Sequence, residues 1–255
     1  MKAQWQIKRR KDDLIIPEDY LEKNDTMQNR RELTFLLQEA AFAEQIRLFH
    51  IVDLTQRGAN QIESFLKEMT EAKSLIFLGT PILEPLLLME QTVFGLNGEK
   101  QTTMIASKVE SDLRSFAYKL EIIGYETIIK VPSVLPNEEI SEVLALTKAG
   151  FIGRNKRFII DEFGCRICLG YLISNAPLMG GDYRYPVYNE NRCRSCMICI
   201  DQCPAGALSP SGYNKNACLD FRDDIKNQKR IAEYSFLKCN RCMESCPLGK
   251  KWETE

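Results

Sequence analysis

Cys193-Arg194-Ser195-Cys196-Met197-Ile198-Cys199-Ile200-Asp201-Gln202-Cys203-Pro204 decides how the C-terminal part of this chain is read. Its spacing is C-x2-C-x2-C-x3-C-P, the run that wraps a [4Fe-4S] cube. Two-residue gaps let one tight loop aim three thiolates at three corners, and the fourth cysteine, beyond a turn, reaches a second cube. A partial copy follows as Cys239-x2-Cys242-x3-Cys246-Pro247, one cysteine short. Cys218 lies between the two runs and can supply the missing thiolate. Eight thiols then serve two cubes of four ligands each. The assignment is Cys193, Cys196, Cys199 and Cys246 on one cluster, with Cys203, Cys218, Cys239 and Cys242 on the other. Zinc also accepts four cysteines from C-x2-C pairs, but the unbroken run ending in proline favours iron–sulfur. Two adjacent clusters are a means of moving electrons one at a time.

Working outward, no cysteine occurs before Cys165, so the ten cysteines of the 255 residues are confined to positions 165–246. The region before them alternates helical and strand-like patterns. Leu33, Leu36, Leu37 and Ala40 mark one helical face, and Ile62, Phe65, Leu66 and Met69 another. Val109, Leu113, Phe116, Ala117 and Leu120 make a third, closed by Gly124 as a C-cap. Strand-like runs fall at 48–54, 74–78, 127–131, 157–160 and 166–173. Gly79-Thr80-Pro81 is expected to stop the second of these. Asn137 can cap a further helix carrying Ile140, Val143, Leu144 and Thr147. The fold class expected is α+β: a layered α/β domain over residues 1–186, then a double [4Fe-4S] module of bacterial-ferredoxin type over 187–255. In the module a metal, rather than a large apolar core, is expected to organise the chain.

Net charge is −1. A chain built to grip a phosphate backbone is usually strongly basic, so a large nucleic-acid footprint is not expected. Lys8-Arg9-Arg10-Lys11 near the N-terminus is followed by Asp12-Asp13 and by no apolar stretch, and reads as a solvated arm, not a signal. No apolar run is long enough to span a membrane. A cytoplasmic protein with no membrane partner is expected, and in that compartment cysteines serve metal or catalysis, not disulfides.

Three further features bear on the chemistry. Cys165 and Cys168 form another C-x2-C inside a strand-like run. Residues three apart in a regular strand face opposite ways, so small buried residues are the expected role, against a ninth ligand or a redox pair. His50, the only histidine, sits among Leu48, Phe49, Ile51 and Val52 and reads as a core residue ahead of a ligand or proton shuttle. In 149–155, Gly150 and Gly153 permit close approach to a flat or anionic ligand, Arg154 can bind carboxylate or phosphate, and Asn155 can bond an amide. A plain helix-to-strand turn reads these residues equally well.

The segment from Ala149 to Leu178, followed by the eight-cysteine tail, resembles the epoxyqueuosine reductases and, more distantly, the corrinoid reductive dehalogenases. Their A-G-L-G-x-I-G-K-N stretch is matched by Ala149 to Asn155, and a T-D-A-P-L segment by Ser174-Asn175-Ala176-Pro177-Leu178. The isolated middle cysteine of those families is matched by Cys218. The resemblance implies a nitroreductase-like N-terminal domain holding a base-off corrinoid (cobalamin) beside the nearer cluster. On it, Gly150, Phe151, Ile152, Gly153, Arg154 and Asn155 become the expected cofactor-binding residues. The clusters would then reduce the cobalt, within a potential range of about −700 to +450 mV for protein cubes.

Three departures qualify what is carried over. The acid–base Asp of the epoxyqueuosine enzymes falls at Pro136 here, with Glu138, Glu139 and Glu142 nearby. The helical-repeat extension that longer members use for tRNA has no counterpart before Glu255. Arg154 stands where the family has Lys. The expected function is therefore an iron–sulfur oxidoreductase passing single electrons to a corrinoid for reduction of an unidentified substrate. The alternatives are an electron carrier for a partner protein, with no corrinoid of its own, and an FMN-dependent reductase. A low-potential donor such as ferredoxin or flavodoxin is expected, with a small molecule or partner protein as acceptor, and tRNA is not expected as substrate.

Overall fold

The computed structural model describes residues 26–56, 59–82, 98–133, 144, 150–160, 163–181, 191–229 and 239–248. Chain order sets the elements as α1 (Met27–Ala43), β1 (Leu48–Asp53), α2 (Ala59–Glu68), β2 (Ser74–Pro81), α3 (Gly98–Glu121), β3 (Thr127–Ser133), β4 (Phe151–Ile152), β5 (Phe158–Ile159) and β6 (Ile167–Ser174). The cysteine-rich part adds α4 (Asn191–Arg194), α5 (Ile198–Asp201), β7 (Leu208–Ser209), β8 (Gly212–Tyr213), α6 (Lys215–Lys229) and α7 (Arg241–Glu244).

Four strands form one sheet in the order β1-β2-β6-β3, every neighbouring pair antiparallel. An antiparallel sheet often leaves one face to water, but both faces are covered here. Leu75 and Phe77 of β2 point to one side, packed with Leu48, Val52 and, from α2, Phe65. Ile76 and Leu78 point to the other, packed with Leu33 and Leu37 of α1 and with Val109, Leu113 and Phe116 of α3. Double coverage explains why 74–78 reads as an unbroken apolar run and not as alternation: Leu75, Ile76, Phe77 and Leu78 are all fully buried.

Helical periodicity translates directly into these layers. Thr26 caps α1, its hydroxyl accepting from the Asn29 N–H at 3.2 Å. Gly124 ends α3 with φ 83°, and the Tyr125 N–H returns to the Leu120 carbonyl at 3.1 Å. The mixed helix-and-strand architecture expected is present. The helix expected after Asn137 lies outside the described residues, apart from Leu144, which is helical and buried.

Two strand ends differ from the sequence reading. β2 does not stop at Gly79 but runs through Pro81, paired to Ile167. Gly79 belongs inside the strand because a Cβ there would stand 2.8 Å from Leu169 Cδ2, and Pro81 sits at the strand's last position, where a missing N–H is tolerated. β6 begins at Ile167, so Cys165 lies in the turn before it. The alternation argument for Cys165 and Cys168 therefore fails, and both pack into the core on the α1/α3 face.

That core also receives Met243, Cys246 and Leu248. The cysteine-rich part is thus seated on the sheet domain through its last turn, an apolar anchorage that the cysteine spacing did not reveal. The expected boundary at 186/187 lies outside the described residues.

Candidate metal centre

β4 and β5 form a short hairpin, Phe151 opposite Ile159 and Ile152 opposite Phe158. The Gly153 N–H donates to the Arg157 carbonyl and the Lys156 N–H to the Gly153 carbonyl, each at 2.9 Å. Lys156 takes φ 57° to close the turn, a left-handed conformation uncommon outside glycine. A Cβ on Gly150 would meet the Ile159 carbonyl at 2.2 Å, and one on Gly153 would meet Ile159 Cδ1 at 2.4 Å. The hairpin's own packing therefore requires both glycines.

The polar groups of this hairpin are directed at the cysteine runs. The Arg154 N–H donates to Cys193 Sγ at 3.4 Å. Its guanidinium donates to the Arg194 carbonyl at 2.6 Å through Nη2 and 3.2 Å through Nε. Asn155 Nδ2 donates to the Cys242 carbonyl and to Cys165 Sγ, each at 3.3 Å, while its Oδ1 accepts from the Arg157 N–H. Fully buried Arg166 adds bonds from Nη2 to the carbonyls of Glu244 and Cys246 at 3.3 Å, and from Nη1 to that of Leu248 at 3.5 Å. These carbonyls follow the short helix α7, whose last acceptors need donors from elsewhere. Of the six residues expected to bind a cofactor, Arg154 and Asn155 thus meet the cysteine module, Gly150 and Gly153 serve the turn, and Phe151 and Ile152 form β4.

Four thiols converge beside the hairpin. Cys193 on α4, Cys196, Cys199 on α5 and Cys246 after α7 line one recess with Arg154, Asn155, Ile159 and Pro247. The recess is narrow, with a cavity volume of about 20 Å³ between these side chains. Tight turns aim the sulfurs: the Cys196 N–H bonds the Cys193 carbonyl at 3.1 Å, and the Cys246 N–H bonds the Met243 carbonyl at 3.3 Å. Burial, then the neighbouring sulfurs of Cys242, Cys193 and Cys246, push the Cys199 thiol up to about 12. Burial also raises Cys193, with the Arg154 N–H opposing. Crowded thiols that resist ionisation alone are the donor set a cationic iron core relieves, since ligation deprotonates each. Among the described residues no three His, Cys, Asp or Glu side chains converge on a single ion.

A second group gathers Cys218, Cys239 and Cys242. Burial raises the Cys239 thiol, the Arg241 N–H opposes, and Cys242 and Cys218 stand close enough to raise it further. Burial also raises the Tyr213 hydroxyl, which bonds Cys218. Cys203 lies beyond α5, its N–H on the Ile200 carbonyl at 3.1 Å. Three buried arginines, Arg222 bonded to the Cys239 carbonyl, Arg166 bonded to the Cys246 carbonyl, and Arg157 beyond the hairpin turn, were not singled out from the sequence. The available signal was a cation inside an apolar run, as at Arg157 before Phe158-Ile159-Ile160 and at Arg166 between two cysteines.

Burial pushes the Cys168 thiol up to about 12 within the core. His50 is buried in β1, opposite Phe77. Pro136, Glu138, Glu139 and Glu142 lie outside the described residues.

Comparison with known proteins adds the following. A 4Fe-4S binding domain model matches residues 186–209. Over 149 residues the chain is 32% identical to an epoxyqueuosine reductase of Bacillus anthracis, covering 54% of this chain and 38% of that one. It is 28% identical to the Staphylococcus aureus epoxyqueuosine reductase over 162 residues, 61% of this chain and 38% of that one. The chain therefore spans well under half the length of these curated relatives. Among solved structures, epoxyqueuosine reductase from Streptococcus thermophilus superposes with TM-score 0.55 at 17% identity, over 86% of this chain and 66% of the other. A B12-dependent reductive dehalogenase superposes with TM-score 0.61 at 13% identity, over 90% and 34%. The chain is thus similar to epoxyqueuosine reductases over about half its length, shares their fold, and carries a 4Fe-4S binding-domain match.

These findings correct the exclusion of tRNA. The relatives are named for epoxyqueuosine reduction, and a solved epoxyqueuosine reductase of this fold (TM-score 0.50) holds an epoxyqueuosine-modified tRNA-Tyr stem loop. Net charge failed as a criterion because it averages over the whole surface, while phosphate contacts need only a local group of cations. Arg192, Arg194 and Arg241 are all exposed on the cysteine-rich part. No helix among the described residues is long and apolar enough to cross a membrane.

Proposed function

We propose that this epoxyqueuosine-reductase-like chain is an iron–sulfur reductase in which two [4Fe-4S] clusters feed single electrons to an acceptor bound by a nitroreductase-like sheet domain. The substrate class proposed is an epoxide-bearing modified nucleoside in tRNA. The observation that carries the reading is the recess lined by Cys193, Cys196, Cys199 and Cys246, closed by the Arg154 N–H at the seam between the sheet domain and the cysteine module. Cys203, Cys218, Cys239 and Cys242 would hold the other cluster. The clusters supply one-electron transfer. The chain's own residues hold them and donate hydrogen bonds to their sulfurs, which tunes potential.

A corrinoid acceptor rests on the likeness to the dehalogenase fold. Of the hairpin residues 150–155, Arg154 and Asn155 direct their hydrogen bonds to the cysteine module. That commitment favours one second reading, a carrier that reduces a partner protein.

The test is anaerobic purification with iron and sulfide counting, then titration with cobalamin and assay on epoxyqueuosine-containing tRNA by nucleoside mass spectrometry. About eight irons per chain are expected, with loss of the epoxide oxygen from the nucleoside. Fewer than about six irons after reconstitution would sink the two-cluster assignment. Full iron with no cobalamin spectral change and no turnover moves the assignment to the electron carrier.

A further inference from the structure

α1 has two apolar faces. Leu33, Leu37, Ala40 and Ala41 are buried against the sheet. On the outer side Met27, Phe35 and Phe42 are 58%, 55% and 66% exposed. The neighbouring α3 adds exposed Tyr118 and Ile122, and a Lys119–Glu44 ion pair at 2.7 Å ties it to the end of α1. Single exposed apolar residues are normal on a soluble protein, but the outer residues of α1 are aligned. At 3.6 residues per turn, Gln28, Arg31, Phe35, Glu39 and Phe42 fall within about 80° of the helix circumference, and all five are exposed. Phe35 and Phe42 are seven residues apart, the repeat that keeps side chains facing a second helix. The charges run against the helix's own dipole. α1 has no acidic residue in its first turn and no basic residue in its last, where each would be favourable. Instead Arg30 and Arg31 stand toward its N-terminus, and Glu39 and Glu44 toward its C-terminus. Glu44 is engaged by Lys119, and Glu32 accepts from Gln28 at 2.9 Å.

We infer that the outer face of α1 is a homodimer contact, packed antiparallel against the same face of a second copy of this chain about a twofold axis at Phe35. In such a pair Phe35 meets its own counterpart. Arg31 meets the partner's Glu39, Glu39 meets the partner's Arg31, and Gln28 meets the partner's Phe42. The pattern Arg31-x3-Phe35-x3-Glu39 is thus complementary to itself reversed, as a closed twofold contact requires. The arrangement opposes the two helix dipoles and sets the basic end of each α1 against the acidic end of the other. The phenylalanines supply aromatic anchors near its centre. This contact is independent of the iron–sulfur reading. A contact made mainly by one helix from each copy falls at the small end of interface sizes, below roughly 1,200 Å². A dissociation constant in the micromolar range, about 1–100 μM, is therefore expected.

The experiment is anaerobic sedimentation equilibrium of the iron-loaded full chain at roughly 1–300 μM, a range that brackets the expected constant. The wild type should move from 29.3 kDa toward twice that mass as concentration rises. Phe35→Glu sets two carboxylates face to face at the axis and should weaken the dimer at least about tenfold. Arg31→Glu and Glu39→Arg each place like charges opposite one another, and each should weaken its own homodimer about tenfold. Mixing these two single variants restores opposite charges at both contacts, so the mixed dimer should form with nearly wild-type strength. That rescue is the signature of α1 packed antiparallel on itself. The substituted side chains are exposed, so iron content and circular dichroism of every variant should match the wild type. A mixture no stronger than its components overturns the pairing. A dimer untouched by Phe35→Glu places the contact elsewhere and overturns it as well. A chain that stays monomeric at every concentration overturns it too, whether water, the chain's own residues or a different protein covers the face.

Discussion

The sheet domain and the cysteine module are held together by different physics. In the sheet domain, Leu75, Ile76, Phe77 and Leu78 are buried on both faces of β2, and helices of about three to seven turns cover them. In the module, regular structure shrinks to four-residue helices and two-residue strands, α6 excepted, and the buried residues include Cys199 and Cys246 themselves. The first region gains its stability from apolar area removed from water. The second has less such area, and the two-cluster proposal assigns its organisation to ligation. A cluster can therefore be lost without dissolving the sheet, but a module without clusters keeps only its seat on the sheet domain.

Chelating the iron under air provides the largest break in that comparison. The brown absorption should disappear and hydrogen exchange across 193–246 should rise sharply, while amides of β1, β2 and β6 stay protected. Exchange mass spectrometry before and after chelation checks this, and loss of protection in β2 as well would mean that the two regions form one cooperative unit.

Arg166→Met tests the seam between them. It leaves the carbonyls of Glu244, Cys246 and Leu248 without their buried donor. The expected cost is about 2–4 kcal/mol, read as a lower midpoint in denaturant and as faster iron release, since Cys246 follows the freed turn. A fall in the midpoint with unchanged iron release would show that Arg166 serves the sheet domain alone.

Cys168→Ala sharpens the comparison with the smallest effect. Cys168 lies in the core, its thiol pushed up to about 12 by burial, so it is an inert packing group. The expected cost is about 1 kcal/mol, with iron content unchanged and no change in alkylation of the native protein. Loss of iron would make it a ligand.

Much of the sheet domain was legible because its pattern is periodic. The stripes 33–40 and 109–120 fix which helix faces turn inward, and they do turn inward. Gly79 and Pro81 misled because a glycine-proline pair usually ends a strand, whereas here Leu169 needs the space at Gly79. Cys165 misled for a related reason: alternation applies only within a strand, and β6 starts two residues later. The glycines at 150 and 153 were open to two readings because spacing shows that a Cβ is absent but not what occupies its place; Ile159 does.

By itself the sequence determined the mixed helix-and-strand class, the iron–sulfur chemistry of the 193–204 run and the resemblance to epoxyqueuosine reductases. Each depends on residue type at short, fixed separations, which the chain carries locally. Only the tertiary structure decided that Cys246 lines one recess with Cys193, Cys196 and Cys199, that Arg154 and Asn155 turn toward the cysteine runs, and that Arg157, Arg166 and Arg222 lie buried. Those facts join residues tens of positions apart through burial and hydrogen bonding, and a cation in an apolar run declares only that a partner exists, not which folded neighbour supplies it.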